Sequence, residues 1–310
     1  MALIGATNQQ KTKIYEEINE THSNKLEDNK AIVQKWLSSQ PHLPKNYDER
    51  ILASFIRGCK HDVERVQRKL DHYFTYRSIM PDLFMNRDPT SSEIRNLKEQ
   101  FVAFPLPELT ADGCRVTFHR VNSSDSNKLD VKAIVKYLLM LGEIRLLEEG
   151  PISGDVCVFD VSGATASMVS KLINPVVKKG IMCSQNALPQ RLKEIHVINA
   201  PPFMDTGVNI IKMFVKQKIK DRFHVYSDTQ GLYKYIPRDS LPSDYGGKEK
   251  SIDALQSEWY KKLESYRSYF EEQENICTDE SKRMNKSEPT SSEYEELFGT
   301  TGSFHKLSID

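Results

Sequence analysis

Between residues 154 and 247, three short apolar runs alternate with helix-sized spans, and this alternation narrows the fold more than anything else in the chain. Asp155 to Val161 (DVCVFDV) is nearly all apolar, as a strand covered on both faces should be. Ile195 to Ala200 (IHVINA) and Phe223 to Ser227 (FHVYS) are the other two strands. Met168 to Met182 links the first pair, and Pro202 to Arg222 links the second. Such alternation predicts a mostly parallel sheet with right-handed crossovers, so the expected class is α/β. Arg115 to Arg120 adds a strand after the Asp112-Gly113 turn. Val131 to Leu147 reads as a long helix with Ile134, Tyr137, Leu138, Leu141 and Ile144 on one side.

The span from Pro202 to Arg222, PFMDTGVNIIKMFVKQKIKDR, is two-faced. Met204, Val208, Ile211, Val215 and Ile219 recur at steps of three and four, which lines one helix face with apolar side chains. Lys212, Lys216 and Lys220 fall on a different face. Two readings fit this pattern. One is a surface helix with its apolar side on a core; the other is a lid, apolar towards a cavity and basic towards an anionic membrane.

At 310 residues the chain is long enough for one large domain or two smaller ones. Its 43 basic and 43 acidic residues balance, which argues against a bulk nucleic-acid binder. Cys59, Cys114, Cys157, Cys183 and Cys277 are widely spaced with no C-x-x-C pair, so neither a disulfide framework nor a zinc site is expected, and a reducing compartment is. The N-terminal MALIGATNQQKTK lacks a basic n-region and an apolar h-region. No stretch approaches the ~20 apolar residues that span a bilayer, and the expectation is a cytoplasmic protein.

Four regions are expected: a helical module (1–85), a connector (86–113), the alternating domain (114–250) and a C-terminal helix with an acidic tail (251–310). In the module, Ile14 and Ile18, then Ile32, Val33, Trp36 and Leu37, sit at helical spacings until Pro41 and Pro44. Ile51, Leu52, Phe55 and Ile56 form another apolar face, Gly58 marks a break, and Asp62 is the expected N-cap for Val63 to Arg77. The Pro- and Ser-rich connector holds one short helix from Ser92. Trp259, Leu263, Tyr266 and Phe270 lie on the apolar side of a helix over 251–271. Glu271 to Glu296 reads as a loosely held tail, whereas Leu297, Phe298, Phe304, Leu307 and Ile309 suggest an end that docks back.

Dinucleotide, P-loop, zinc-protease and nucleophile-elbow motifs are absent from the sequence. Asp160 ends a parallel strand, where an α/β enzyme places catalytic groups; with no matched nucleophile, a turn role fits better. His119, His196 and His224 read as core histidines with backbone partners, and the cysteines as small core residues. The residues make no positive case for catalysis.

The segment DERILASFIRGCKHDVERVQRKLDHYFTYR resembles the N-terminal helical module of CRAL-TRIO proteins. Residues 154–247 resemble the CRAL-TRIO lipid-binding domain through FDVSG, LPQRLKEIHVINAPPFM, KQKIKDRFHV and LPSDYGG. NRDPTSSEI, LPELTADGCRV and the ending GSFHKLSID are most similar to the arthropod branch related to tocopherol transfer and retinaldehyde-binding proteins. The resemblance implies a sheet that floors an apolar cavity closed by a mobile lid helix. It implies an intracellular, non-enzymatic carrier of one small lipid (a tocopherol, retinoid, carotenoid or other isoprenoid), with that lipid as cargo and no cofactor. The alternative is a phosphoinositide-dependent membrane sensor. The partners so implied are the hydrophobic ligand and, transiently, an anionic membrane, with no nucleic acid, and the carrier is expected to be a monomer. Cavity walls would come from Leu138, Leu141, Val158, Ile181, Leu192 and Ile198, with Met204, Val208, Ile211 and Val215 from the lid. Phosphoinositide contacts would come from Arg57, Arg191, Lys193, Lys218 and Arg222. Two departures matter. Pro189-Gln190-Arg191 has Gln where phosphatidylinositol carriers usually have Glu, which weakens the case for that cargo. Lys212-Met213-Phe214-Val215 lacks the proline many relatives carry, which predicts a straighter lid.

Overall fold

The structure, a computed structural model, describes residues 1–122 and 125–284. The N-terminal part is helical: α1 (Asn8–Glu17), α2 (Lys25–Ser39), α3 (Ile51–Gly58) and α4 (Val63–Ile79). Asp62 caps α4 as its sequence predicts, its side chain accepting from the Arg65 N–H. Ile51, Leu52, Phe55 and Ile56 are at most 2 % exposed and share a core with Val33, Leu37, Val66 and Leu70. Gly58 ends α3 against Pro189. A Cβ there would lie 2.1 Å from the Pro189 carbonyl oxygen, so only glycine allows this approach between the module and the sheet.

Two short helices follow, α5 (Pro81–Phe84) and α6 (Ser92–Arg95). The rest of the expected connector is then corrected: Phe101–Leu109 forms a strand, β1, antiparallel to β2 (Cys114–Val121). Pro105 and Pro107 hid it, because proline cannot donate to a ladder; β1 tolerates both as an edge strand with a register shift between Pro105 and Leu109. Gly113, at φ 76°, supplies the turn between them.

The chain continues through α7 (Val131–Glu148), β3 (Gly154–Asp160), α8 (Ala166–Val169) and α9 (Pro175–Met182). After β4 (Leu192–Ile198) come α10 (Met204–Phe214), α11 (Gln217–Lys220), β5 (Phe223–Val225), α12 (Ile252–Ser265) and α13 (Arg267–Gln273). The single helix expected over Met168–Met182 is divided because Asn174 caps α9 and Pro175 opens it. The sheet runs β1-β2-β3-β4-β5, with β2 to β5 parallel, as the alternation predicts.

Pleating sends successive residues to opposite faces. Cys157 and Phe159 pair with Ile195 and Val197, so these four share one face; Val158 and Asp160 pair with His196 and Ile198 on the other. The first face receives α10, whose Met204 and Val208 join Val161 and Val197 in a core that Phe159 and Phe223 flank. The second receives the segment before α12: the Tyr245 ring lies 5.0 Å from Phe118, and its hydroxyl donates to Asp160.

The start of the acidic tail is also corrected. Rather than hanging loose, residues after α13 are strapped to the helical module. Ile276 is buried, the Thr278 and Asp279 N–H groups donate to the Phe74 and His42 carbonyls, and Arg283 spans Asp71 at 2.8 Å and Glu280 at 2.6 Å. The docking end proposed at Leu297, Phe298, Phe304, Leu307 and Ile309 lies outside the described residues.

Candidate functional site

The two-faced span is not one continuous helix. Its first two turns seat on the sheet through buried Met204, Gly207 and Val208. Beyond them Ile210, Ile211, Phe214 and Val215 are only half-buried, and Met213 is 61 % exposed. The helix then stops: Val215 has ψ 150° and Lys216 ψ 146°, both extended, before α11 begins. The straighter lid expected from the missing proline is therefore overturned. Val215 is β-branched and leaves the helical region easily. The decisive contribution comes from Gln185, on a π-helical turn (Cys183–Ala187) after α9. Its Nε2 donates to the Phe214 carbonyl at 3.1 Å, and its Oε1 accepts from the Lys216 N–H at 2.7 Å.

The predicted wall residues divide. Met204 and Val208 are buried between α10 and the sheet; Ile181, Leu192, Ile211 and Val215 are half-buried. Leu138 and Leu141 pack with the main core around Tyr137, Met140 and Ile144. Val158 and Ile198 are both fully buried on the face opposite α10, because strand parity turns them away from that helix. The residues that face it are Phe159, Val197 and Phe223, with Cys157 in the same parity. The period-2 rule made parity legible in the sequence, but not which parity the lid covers. Every residue of α9 is at most half-buried despite Val176, Val177, Ile181 and Met182, so apolar surface stays incompletely covered beside the lid as well. A crevice of about 60 Å³ lies elsewhere, between α3, the end of α7 and residues 188–191, lined by Arg57, Arg145, Glu149, Asp155 and Arg191. That volume is on the scale of a few water molecules rather than a lipid.

The five predicted headgroup residues divide as well. Arg57 forms a paired salt bridge with Glu20, its Nε 2.8 Å from Oε2. Arg191 donates to the carbonyls of Ser153, Arg57 and Ile152, and Lys193 pairs with Glu17 at 2.5 Å. These three are engaged inside the protein. Lys218 is exposed and carries no ion pair among the described residues. Burial holds its pKa below the ordinary lysine value, and Arg65, Lys216 and Arg222 add to the shift. Arg65 on α4 thus adds to the positive field around α11 that Lys216, Lys218 and Arg222 supply. Arg222 is half-buried and also donates to the Leu192 carbonyl. Lys69, also on α4, has its pKa pushed down to about 8 by burial and by Arg65, Lys216 and Lys218. Its Nζ donates to the carbonyls of Gln185, Asn186 and Leu188. Arg65 and Lys69 were missed because they lie on α4, about 150 residues before Lys216, whose place on the basic face was legible in the sequence.

Asp160 is consumed by the turn role: it accepts from the Ser162 N–H, Asn199 Nδ2 and the Tyr245 hydroxyl. His119 bonds the Val158 carbonyl at 3.2 Å, and His224 pairs with Glu194. His196 differs from the expected core histidine, since neither ring nitrogen has a partner among the described residues; it stacks on His224 and Tyr226 and lies tilted against Tyr235 instead.

Residues 100–247 match the CRAL/TRIO domain, and residues 22–94 match the Pinta-like UBA domain. The human alpha-tocopherol transfer protein-like is 31% identical over 244 residues, covering 78% of this chain and 71% of that protein. The chain belongs to the CRAL-TRIO family. Clavesin-1 of Xenopus laevis is 25% identical over 202 residues, 64% of this chain and 61% of its own length. The crystal structure of Sfh5 superposes with a TM-score of 0.51 at 17% identity, covering 82% of this chain and 93% of that one, which shows a shared fold. The CRAL-TRIO match takes in all five strands together with α10 and α11, while α2 to α4 fall within the UBA match. Among the described residues, no helix is long and apolar enough to cross a membrane.

Proposed function

We propose that this CRAL-TRIO protein encloses one small, largely apolar lipid beneath α10 and hands it to membranes by swinging that helix outward. The observation that carries the reading is the second half of α10, where Ile210, Ile211, Met213, Phe214 and Val215 stay half-buried or exposed beside the basic cluster. A helix serving only the core would cover these side chains. The names of the relatives support a tocopherol-type isoprenoid as cargo. Each apolar side chain leaving water contributes roughly 1.5–3 kcal/mol, and each lysine near an anionic leaflet about 1 kcal/mol. A handful of each gives reversible docking rather than permanent anchoring. Organic extraction of the purified protein followed by mass spectrometry is expected to recover about one equivalent of an apolar lipid, on the one-site binding assumed here. Recovering none, together with no saturable uptake of any apolar probe, would sink the carrier reading.

The cluster of Arg65, Lys216, Lys218 and Arg222 is proposed to take a phosphoinositide headgroup during docking. The paired Arg65→Glu and Lys218→Glu variant is expected to weaken binding to phosphoinositide vesicles at least roughly tenfold, from about 1 kcal/mol per cation removed. Lys193→Glu serves as control, since its ammonium is already paired with Glu17. Equal vesicle affinity in the paired variant and the wild type refutes the headgroup assignment. Vesicle binding with no movement of labelled lipid between vesicles favours a sensor over a carrier.

A further inference from the structure

We infer that Gln185 is the positioning residue that latches the lid at its break, so that α10 pivots about Val215–Lys216. The inference deepens the carrier reading and rests on it for its role, though not for its geometry. No backbone N–H closes the end of α10 at Val215; the Gln185 side chain reaches both sides of the gap instead. Only one orientation of its amide serves both contacts, with nitrogen towards the Phe214 carbonyl and oxygen towards the Lys216 N–H. The reversed amide would set oxygen against oxygen and nitrogen against nitrogen.

The platform beneath the latch is tied to α4. Gln185 sits on a π-helical turn, a geometry that often marks functional positions. Three of that turn's neighbouring carbonyls accept from buried Lys69, and Asn186 Nδ2 donates to the Tyr76 hydroxyl at 3.2 Å, both partners lying on α4. Asn186 Oδ1 also accepts from Lys216 Nζ at 2.6 Å. Swinging α10 outward therefore breaks a few half-exposed hydrogen bonds at this end and lifts Met204 and Val208 off Val161 and Val197, while the platform on α4 stays in place. It also places the hinge where the cationic cluster meets α4, so membrane docking and lid release act on the same few residues.

Gln185→Leu keeps the side-chain bulk and removes both hydrogen bonds. Amide hydrogen exchange across residues 204–220 is expected to rise roughly tenfold, the loss expected for one to two ordinary hydrogen bonds. Exchange across α3 and α4 is expected to stay unchanged. Release of all-trans-retinol, used as a fluorescent probe, is expected to quicken by a similar factor. Gln185→Glu keeps the acceptor for Lys216 but loses the donor to Phe214, so a smaller rise is expected. Unchanged exchange over 204–220 in Gln185→Leu overturns the latch, whatever happens to retinol. A rise spread evenly over the whole chain also overturns it, because that marks general loosening. Failure of the wild type to take up retinol counts against the carrier reading alone, while the exchange arm still decides the latch.

Discussion

Glu143→Gln is expected to lower the unfolding free energy by about 3–5 kcal/mol in urea denaturation at pH 7. Arg77 on α4 and Arg87 after α5 both lean on Glu143 Oε1 of α7, at 2.8 and 2.6 Å, and all three side chains are at most 2 % exposed. Burial alone would raise the Glu143 carboxyl; the two guanidinium groups outweigh it and hold its pKa below the ordinary value. Glutamine fills the same space but leaves two buried cations facing no anion. The site also ties four segments together, since the Phe270 ring of α13 lies 5.3 Å from the Arg87 guanidinium carbon. Removing a partner from the Lys250–Glu258 pair, where Lys250 is 59% exposed, is expected to cost under about 1 kcal/mol, which makes Glu258→Gln the control. Similar losses in the two variants would show that the junction is held by packing rather than by charge.

Acidification between pH 6.5 and about 4 is expected to destabilise the protein before its carboxylates titrate. His119 and His196 are 5% and 0% exposed, and burial pushes each down from an ordinary 6.5 to about 4. For His196 the neighbouring His224 adds to the depression; for His119 the bond to the Val158 carbonyl partly opposes it. In that window both rings are neutral in the folded state, while the unfolded chain takes up protons. The unfolded state then binds more protons, so stability falls as pH drops, by roughly 2 kcal/mol per histidine at pH 5. His196→Phe retains a flat ring against Tyr235, 4.7 Å away, and cannot be protonated. Its stability difference between pH 7 and pH 5 is expected to be smaller than that of the wild type by about that amount. Equal pH slopes in the two proteins would show that His196 does not titrate with folding.

Much of the architecture was legible because its signals are local. The apolar run at Asp155–Val161 and the matching pattern in IHVINA and FHVYS state burial directly, and Asp62 states a cap. The errors share a different origin. β1 was hidden by Pro105 and Pro107, whose tolerance depends on lying at a sheet edge. Residues 276–283 look acidic and free until Asp71 and the carbonyls of Phe74 and His42 are brought beside them. At the site, Val158 and Ile198 were named as walls without a choice of sheet face, and α10 covers the other parity. Arg57 and Lys193 were candidate headgroup contacts until Glu20 and Glu17 closed on them.

Sequence alone determined the alternation of β3, β4 and β5 with helical spans, their parallel pairing, and the two-faced character of Pro202–Arg222, because periodicity and capping act over a few residues. Tertiary structure alone decided which sheet face α10 covers, which cations are paired within the protein, and that the helical span breaks at Val215. Each of those depends on a side chain about 30 or more residues away in the chain, such as Gln185 against Lys216 or Glu20 against Arg57, and no local pattern carries that distance.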